Sequence, residues 1–283
     1  MASIQPRIAV LLPCYNEEAA IARTVEGFRA ALPGATIYVY DNNSRDRTLE
    51  VARAAGALVR SERMQGKGNV VRRMFADVDA DIYVMADGDA TYDAASAPGM
   101  VERLLAEGLD MIVGTRVHEA AGAYRRGHVL GNRLMTGFLA GLFGRSFTDI
   151  FSGYRVFSRR FVKSFPVLSS GFEIETEISV HALELKMPVG EIETVYFARL
   201  EGSHSKLNTW RDGLRILRTI VTLYRIERPM FFFGWIASLF ALLAVILAVP
   251  LIVTYVETGL VPRLPTAILA TGLMILAFLN AFT

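Results

Sequence analysis

The chain has 283 residues, 52% of them hydrophobic and 20% charged, with a formal net charge of +2. That length allows one large domain with a small appendage, and a mean hydropathy of +0.34 is high for a purely soluble protein. The single cysteine, Cys14, excludes an internal disulfide and fits a reducing compartment, and no nucleic-acid partner is expected.

Along the first ~115 residues, short β-rich runs alternate with helical patterns. Residues 7–12, 36–40, 82–85 and 111–115 are predicted as buried strands, and 17–31, 48–55, 67–78 and 95–107 as the helices between them. This alternation predicts an α/β domain on a mostly parallel sheet. Ligands of such sheets sit at the carboxyl ends of the strands. Three polar clusters fall there: Cys14-Tyr15-Asn16-Glu17, Asp41-Asn42-Asn43-Ser44 and Asp87-Gly88-Asp89. The apolar run 8–12 is too short for the core of a signal peptide and is ended by Pro13, so the polar part is expected to stay in the cytoplasm.

Farther on, residues 128–143 carry Leu130, Leu134, Phe138 and Leu142 at steps of four, flanked by Arg125, Arg126, Arg133 and Arg145. An interfacial helix and an ordinary core-packing helix both fit that pattern. Residues 209–228 predict a basic amphipathic helix, with Arg211, Arg215, Arg218 and Arg225 on one face and Leu214, Leu217, Val221 and Tyr224 on another, which suits an anionic lipid surface. No charge occurs in 230–256 or in 265–283. The first run exceeds the ~20 residues needed to cross a bilayer core and the second is close to it. Arginines and Lys206 crowd residues 199–228, whereas the link between the apolar runs holds Glu257 and Arg263. The positive-inside rule therefore predicts a multi-pass inner-membrane protein with its polar domain in the cytoplasm. The expected division is a catalytic domain at 1–208, a juxtamembrane helix at 209–228 and a transmembrane region at 229–283.

The clusters suggest chemistry. Asp87 and Asp89, one residue apart after a strand, suit a hard divalent cation, Mg²⁺ or Mn²⁺, which would neutralise a diphosphate leaving group. Asp41 ends a strand where a carboxylate accepts hydrogen bonds from a base or ribose, and Gly66-Lys67-Gly68 opens a helix where backbone and cation approach a phosphate. Neither the Walker nor the dinucleotide glycine spacing is present. His118, His128, His181 and His204 lack metal-ligand spacing, so no zinc is expected. Cys14 reads as a small buried residue near the nucleotide, and Phe231-Phe232-Phe233 with Trp235 as an interfacial aromatic cluster.

These motifs make the chain resemble family 2 glycosyltransferases. Val10-Leu11-Leu12-Pro13-Cys14-Tyr15-Asn16-Glu17-Glu18, Asp41-Asn42-Asn43-Ser44-Arg45-Asp46-Arg47-Thr48, Gly66-Lys67-Gly68 and Asp87-Gly88-Asp89 match that family's motifs in order and spacing. Asp149-Ile150-Phe151-Ser152-Gly153-Tyr154-Arg155 and Ser203-His204-Ser205-Lys206-Leu207 are similar to its polyprenyl-phosphate branch, which includes dolichol-phosphate mannose synthase. The resemblance, over residues 7–228, implies a GT-A fold and metal-dependent, inverting transfer of a hexosyl or N-acetylhexosaminyl group. It implies a nucleotide-sugar donor, with UDP favoured, and undecaprenyl phosphate or a similar polyprenyl phosphate as acceptor. Pro13, Tyr15, Glu17, Asp41, Asn43, Lys67, Asp87, Gly88 and Asp89 would hold the donor. Asp87 and Asp89 would bind the metal, with Thr91 standing where many relatives have a glutamine. Arg116, Arg133 and Lys206, with Arg155, would hold the acceptor phosphate, and Asp149 would position it rather than act as a base. Of Glu173, Glu175 and Glu177, only Glu177 is kept as a candidate. A catalytically idle membrane scaffold and a processive polysaccharide synthase are the alternatives, although the Gln-x-x-Arg-Trp signature of the latter is absent. A homo-oligomer is left open.

Overall fold

The computed structural model describes residues 6–118, 137, 147–202 and 209–282. The chain divides into two compact units, Met1–Ile220 and Val221–Thr283.

The first unit is an α/β layer built on a seven-stranded sheet of order β3-β2-β1-β4-β6-β5-β7. β1 (Ile8–Cys14) and β4 (Ile82–Met85) lie near its middle and pair in parallel. Both are almost continuously apolar, as strands covered on two faces must be, and all of β4 is buried. β2 (Thr36–Asp41) and β3 (Leu58–Ser61) extend the parallel set on one side. On the other, β6 (Arg155–Ser158) runs antiparallel between β4 and β5 (Met111–His118), and β7 (Val189–Tyr196) closes the edge parallel to β5. The carboxyl ends of β1, β2, β4, β5 and β7 and the amino end of β6 therefore share one edge of the sheet.

Helices α1 (Ile21–Ala31), α2 (Thr48–Ala54), α3 (Lys67–Asp77) and α4 (Ala97–Ala106) connect the strands. Val25, Phe28, Val39, Val84, Met100 and Leu104 belong to the core they enclose with the sheet. The helix expected from residue 17 begins at Ile21, because Ala20 and Ile21 first donate to the Glu17 carbonyl in a turn. β3, β6 and β7 were not expected from the sequence. β3 has four residues and an exposed, partly polar pattern, and β6 opens on an arginine. α5 (Arg159–Ser164) and α6 (Ile174–Glu184) follow β6. The helix expected at 128–143 lies outside the described residues.

α7 (Thr209–Glu227) matches the expected amphipathic helix, and the boundary between the units falls within it. Ile216 and Ile220 are buried on it, while Leu214, Leu217 and Val221 stay exposed, leaving an apolar stripe beside the arginines. In the second unit α8 (Pro229–Thr258) and α9 (Leu264–Ala281) pack together. Their 18-residue windows reach mean hydropathies of 2.9 and 1.8. The buried positions are small, Ala237 and Ala244 on α8 with Ala270 and Ala277 on α9, while Leu242, Ile246, Val253, Leu269, Ile275 and Leu279 point outward. A soluble hairpin buries its large side chains. Small residues at the contact and large ones outside suit helices in lipid.

Candidate active site

The shared strand edge is stitched together before any ligand is considered. After β1, Asn16 takes a left-handed φ of 52°, and its N–H donates to Ser44 Oγ at 2.8 Å. Its Oδ1 accepts from the Arg45 N–H at 2.8 Å, and the Glu17 N–H reaches Thr48 Oγ1 at 2.8 Å. Pro13 and Cys14 pair in register with Tyr40 and Asp41, so the first two clusters sit side by side. The Asp41 carboxylate is buried and accepts from the Ser44 N–H at 3.1 Å. Asn42 spans to the next element: its Nδ2 donates to the Glu62 and Met64 carbonyls, and its Oδ1 accepts from the Gly66 N–H at 2.7 Å. Asn43, also left-handed at 65°, donates to the Arg63 carbonyl at 2.8 Å. Thus Asn42 and Asn43 shape the loop that delivers Lys67, whose backbone opens α3.

Lys67 reaches two carboxylates, Asp87 Oδ1 at 2.5 Å and Glu175 Oε1 at 2.5 Å, and its side chain is only 10% exposed. Burial alone would lower its pKa, but Asp87 and then Glu175 outweigh burial and raise it, so the ammonium stays charged. The glycines flanking Lys67 allow this approach. A Cβ at Gly66 would meet the Ser170 carbonyl oxygen at 2.1 Å, and one at Gly68 the Ser169 oxygen at 2.2 Å.

Asp89 is buried and bonded on both oxygens. Thr91 Oγ1 donates to Oδ1 at 2.6 Å, and Arg199 Nη2 meets Oδ2 at 2.6 Å. Burial, then the neighbouring Asp87 charge, push the Asp89 carboxyl above the usual range, partly offset by Arg199. Between the acids, Gly88 sits against Cys14, where a Cβ would approach Sγ to 2.3 Å. Burial pushes the Cys14 thiol well above its ordinary pKa, and the Glu17 and Asp41 charges add to this, so it enters the site as a small neutral group. Ala90 holds a φ of 58° just beyond the acids, a conformation that strains a residue with a β-carbon.

On the far side of β4, Arg116 forks onto Asp149 with Nε–Oδ2 and Nη2–Oδ1 both at 2.7 Å. This is the bidentate geometry of a strong ion pair. The guanidinium also lies 5.6 Å from the centre of the Tyr196 ring, a cation–π contact. Tyr92 packs against Tyr154 and Tyr196 and accepts from the Gly153 N–H at 2.8 Å. Gly153 in turn lies beside Asp87 and Lys67, which joins this cluster to the acidic pair.

The structure thus gathers Pro13, Tyr15, Glu17, Asp41, Asn43, Lys67, Asp87, Gly88, Asp89, Arg116 and Asp149 along one edge of the sheet. Arg155 is a correction. It lies between Met85 and Val113 in the sheet register, fully buried, with its guanidinium donating to the Ser152, Ile150 and Glu175 carbonyls. Its pKa is lowered to about 10 by burial, so it stays charged as a brace for the 149–155 loop and faces no phosphate. The Thr91 hydroxyl donates to Asp89 Oδ1, which sets it beside the acidic pair. Glu177 spends both oxygens on the Leu168 and Ser169 N–H groups. Of that acidic trio it is Glu175 that reaches the site, and spacing within a helix start gave no way to choose it. In the sequence Arg199 is one of several basic residues ahead of the apolar runs, and Tyr92 and Tyr196 carry no motif signal. Arg133 and Lys206 lie outside the described residues.

Among the described residues, no three His, Cys, Asp or Glu side chains form a metal-holding group. The donor set at Asp87 and Asp89 is all-carboxylate, and each acid is held by a cation in this structure. Two hard anionic ligands already drawing positive charge fit a divalent cation whose remaining positions are filled by phosphate and water oxygens.

Comparison with known proteins agrees with this architecture. The family model described as "Glycosyl transferase family 2" matches residues 9–165. The glycosyltransferase AglJ of Haloferax volcanii is 35% identical over 250 residues, covering 88% of this chain and 81% of its own. A dolichyl-phosphate hexose transferase of the same organism is 26% identical over 221 residues, 78% of this chain and 95% of its own. Among solved structures, glucosyl-3-phosphoglycerate synthase from Mycobacterium tuberculosis, in complex with Mn²⁺, UDP-glucose and phosphoglyceric acid, superposes with a TM-score of 0.63 at 22% identity, covering 78% of this chain and 80% of that one; at that identity the likeness bears on the fold alone. A strand edge carrying Lys67, Asp87 and Asp89, a GT-A sheet, and a family match over more than half of the chain together identify the protein as a member of glycosyl transferase family 2.

Proposed function

We propose that this chain transfers a sugar from a nucleotide-sugar donor, UDP-linked, to polyprenyl phosphate at the cytoplasmic face of a membrane, with inversion at the anomeric carbon. The observation that carries the reading is the continuity of one chain: a family 2 domain with an acidic pair at its strand edge runs through a basic helix with an exposed apolar stripe into two lipid-suited helices. The dolichyl-phosphate hexose transferase relative supports a lipid-phosphate acceptor, and the superposed synthase, which shares the fold, is itself a complex with Mn²⁺ and UDP-glucose.

Asp87 and Asp89 would hold a divalent cation together with the donor diphosphate. When bound, that cation supplies charge neutralisation to the departing nucleoside diphosphate. Lys67, held charged by Asp87 and Glu175, adds a fixed positive charge beside the same group. Asp41, at the end of β2, would accept hydrogen bonds from the base or the ribose hydroxyls. A lipid monophosphate, with a second pKa near ~6, is largely dianionic at neutral pH. Its oxygen forms the new bond to the anomeric carbon as the bond to the diphosphate breaks, and no proton need be removed. This supports a positioning role for Asp149, whose carboxylate is committed to Arg116. A lipid phosphate cannot leave the headgroup layer without exposing its tail to water, so a catalytic domain anchored at that layer meets it there.

Arg133 and Lys206 are the cations proposed for the acceptor phosphate. Lys206→Ala and Arg133→Ala are each expected to lower kcat/KM for polyprenyl phosphate by about ten- to a hundredfold, the worth of a charge-assisted hydrogen bond, while nucleotide affinity measured by calorimetry stays the same. Weakened nucleotide affinity with normal acceptor kinetics would assign both residues to the donor and overturn the acceptor path.

A further inference from the structure

The two acids of the strand edge are neutralised differently. Lys67 bridges Asp87 and Glu175, both at 2.5 Å, and is 10% exposed. If Asp87 turns to another cation, Lys67 still keeps a buried carboxylate partner. Arg199 has a different position. Its ion pair is with Asp89 at 2.6 Å, and its side chain is 31% exposed while that of Asp89 is 4% exposed. The Thr91 hydroxyl already occupies the other Asp89 oxygen, so Arg199 holds the oxygen that remains. Arg199 is also tethered next to its target, because the Phe197 N–H donates to the Thr91 carbonyl at 2.8 Å.

We propose that Arg199 is a resident counter-ion of Asp89 that a divalent cation must displace, so that loading the metal converts Arg199 from an internal partner into a cation free to meet an incoming phosphate. The inference rests on the metal reading of Asp87 and Asp89 given above. Its physical basis is charge balance in a buried site. Asp89 would be costly to leave as an uncompensated anion, so the apo site keeps a guanidinium on it. A cation of charge +2 and a guanidinium drawn to the same buried oxygen compete for it and repel each other at that distance. Arg199 is the partner that can leave, because its exposure gives it water and phosphate as new ligands. Lys67 has no such outlet and stays with Glu175. Arg199 thereby offsets the Asp89 charge without metal, and its own charge is released toward a phosphate only when the metal is bound.

Mn²⁺ alone, titrated into the full-length protein in detergent and followed by the EPR signal of the free ion, tests this without turnover. Arg199→Gln is expected to tighten Mn²⁺ binding by about tenfold or more, since a charge-assisted competitor is removed. Unchanged or weaker binding in that variant overturns the inference. Asp89→Asn separates the two layers. If it binds Mn²⁺ like the wild type, the metal assignment itself fails. If it loses binding while Arg199→Gln binds like the wild type, only the counter-ion role fails. A second readout needs no variant. Phenylglyoxal modification, followed by peptide mass spectrometry, should run several-fold faster at Arg199 when Mn²⁺ is added. Arg103, paired with Glu107 at 2.8 Å on α4, should not respond. Equal rates at Arg199 with and without Mn²⁺ would refute displacement.

Discussion

Replacing Gly88 with alanine should push apart the two carboxylates that flank it. The new Cβ would lie 2.3 Å from Cys14 Sγ, about an ångström inside ordinary van der Waals contact. Cys14 is buried at the end of β1, with its Sγ against the Leu12 carbonyl at 3.6 Å, so it has little room to yield. Overpacking of this kind costs roughly 1–3 kcal/mol, which for a domain of this size lowers Tm by several degrees. The catalytic effect should be larger, because a displacement of ~1 Å at either of the acids proposed to hold the metal is worth about a hundredfold in rate. The structure also predicts the rescue. With the sulfur gone, the next neighbours of the added Cβ are Ile21 Cδ1 at 3.3 Å and the Pro13 carbonyl at 3.6 Å. Cys14→Ala combined with Gly88→Ala should therefore recover most of the activity and stability that Gly88→Ala loses. Thermal unfolding and transferase assays on the two single variants and the double variant complete the cycle. A Gly88→Ala enzyme with wild-type activity, or a double variant no better than the single, would refute the packing argument.

Arg155→Leu should destabilise the protein by about 3 kcal/mol or more, since three carbonyls lose a buried charged donor; an unchanged Tm with a raised acceptor KM would return Arg155 to the phosphate site. Thr91→Val should weaken metal-dependent activity about tenfold through loss of the 2.6 Å bond to Asp89 while leaving the fold intact, and full activity at limiting Mn²⁺ would contradict it. His181 is held below its ordinary pKa of 6.5 by burial, opposed by Glu177. Its folded-state pKa is depressed, so the unfolded chain takes up the proton first, and the stability contribution present above 6.5 is lost as pH falls through that value toward the folded pKa. His181→Phe should flatten that part of the stability–pH curve, and an unaltered curve would rule the histidine out.

Much of this site was legible because its residues sit at strand ends, where sequence order and strand order coincide. Asp41, Lys67, Asp87 and Asp89 each follow or open an element with a clear apolar pattern, so parallel topology alone brings them together. The two C-terminal apolar helices were legible for a similar reason, since length and absence of charge mark them. What stayed hidden depends on contacts between distant segments. Glu175 approaches Lys67 across more than a hundred residues, and Arg199 reaches Asp89 from beyond β7. Neither pairing leaves a local spacing in the sequence. Arg155 misled because its motif sits at the right edge, but insertion of β6 between β4 and β5 turns its side chain into the interior. Antiparallel insertion of a four-residue strand has no periodic signature long enough to read.

The proposed reaction pairs a nucleotide-sugar donor with a lipid-phosphate acceptor. Purified full-length protein in detergent with Mn²⁺, undecaprenyl phosphate and a panel of UDP-sugars, analysed by mass spectrometry of the extracted lipid, tests it directly. A single glycosylated lipid monophosphate is expected, formed from one sugar of the panel, abolished by EDTA and absent with Asp89→Ala. Nucleotide-sugar turnover with no sugar on the lipid, or a glycosylated lipid formed equally well in EDTA, would contradict it.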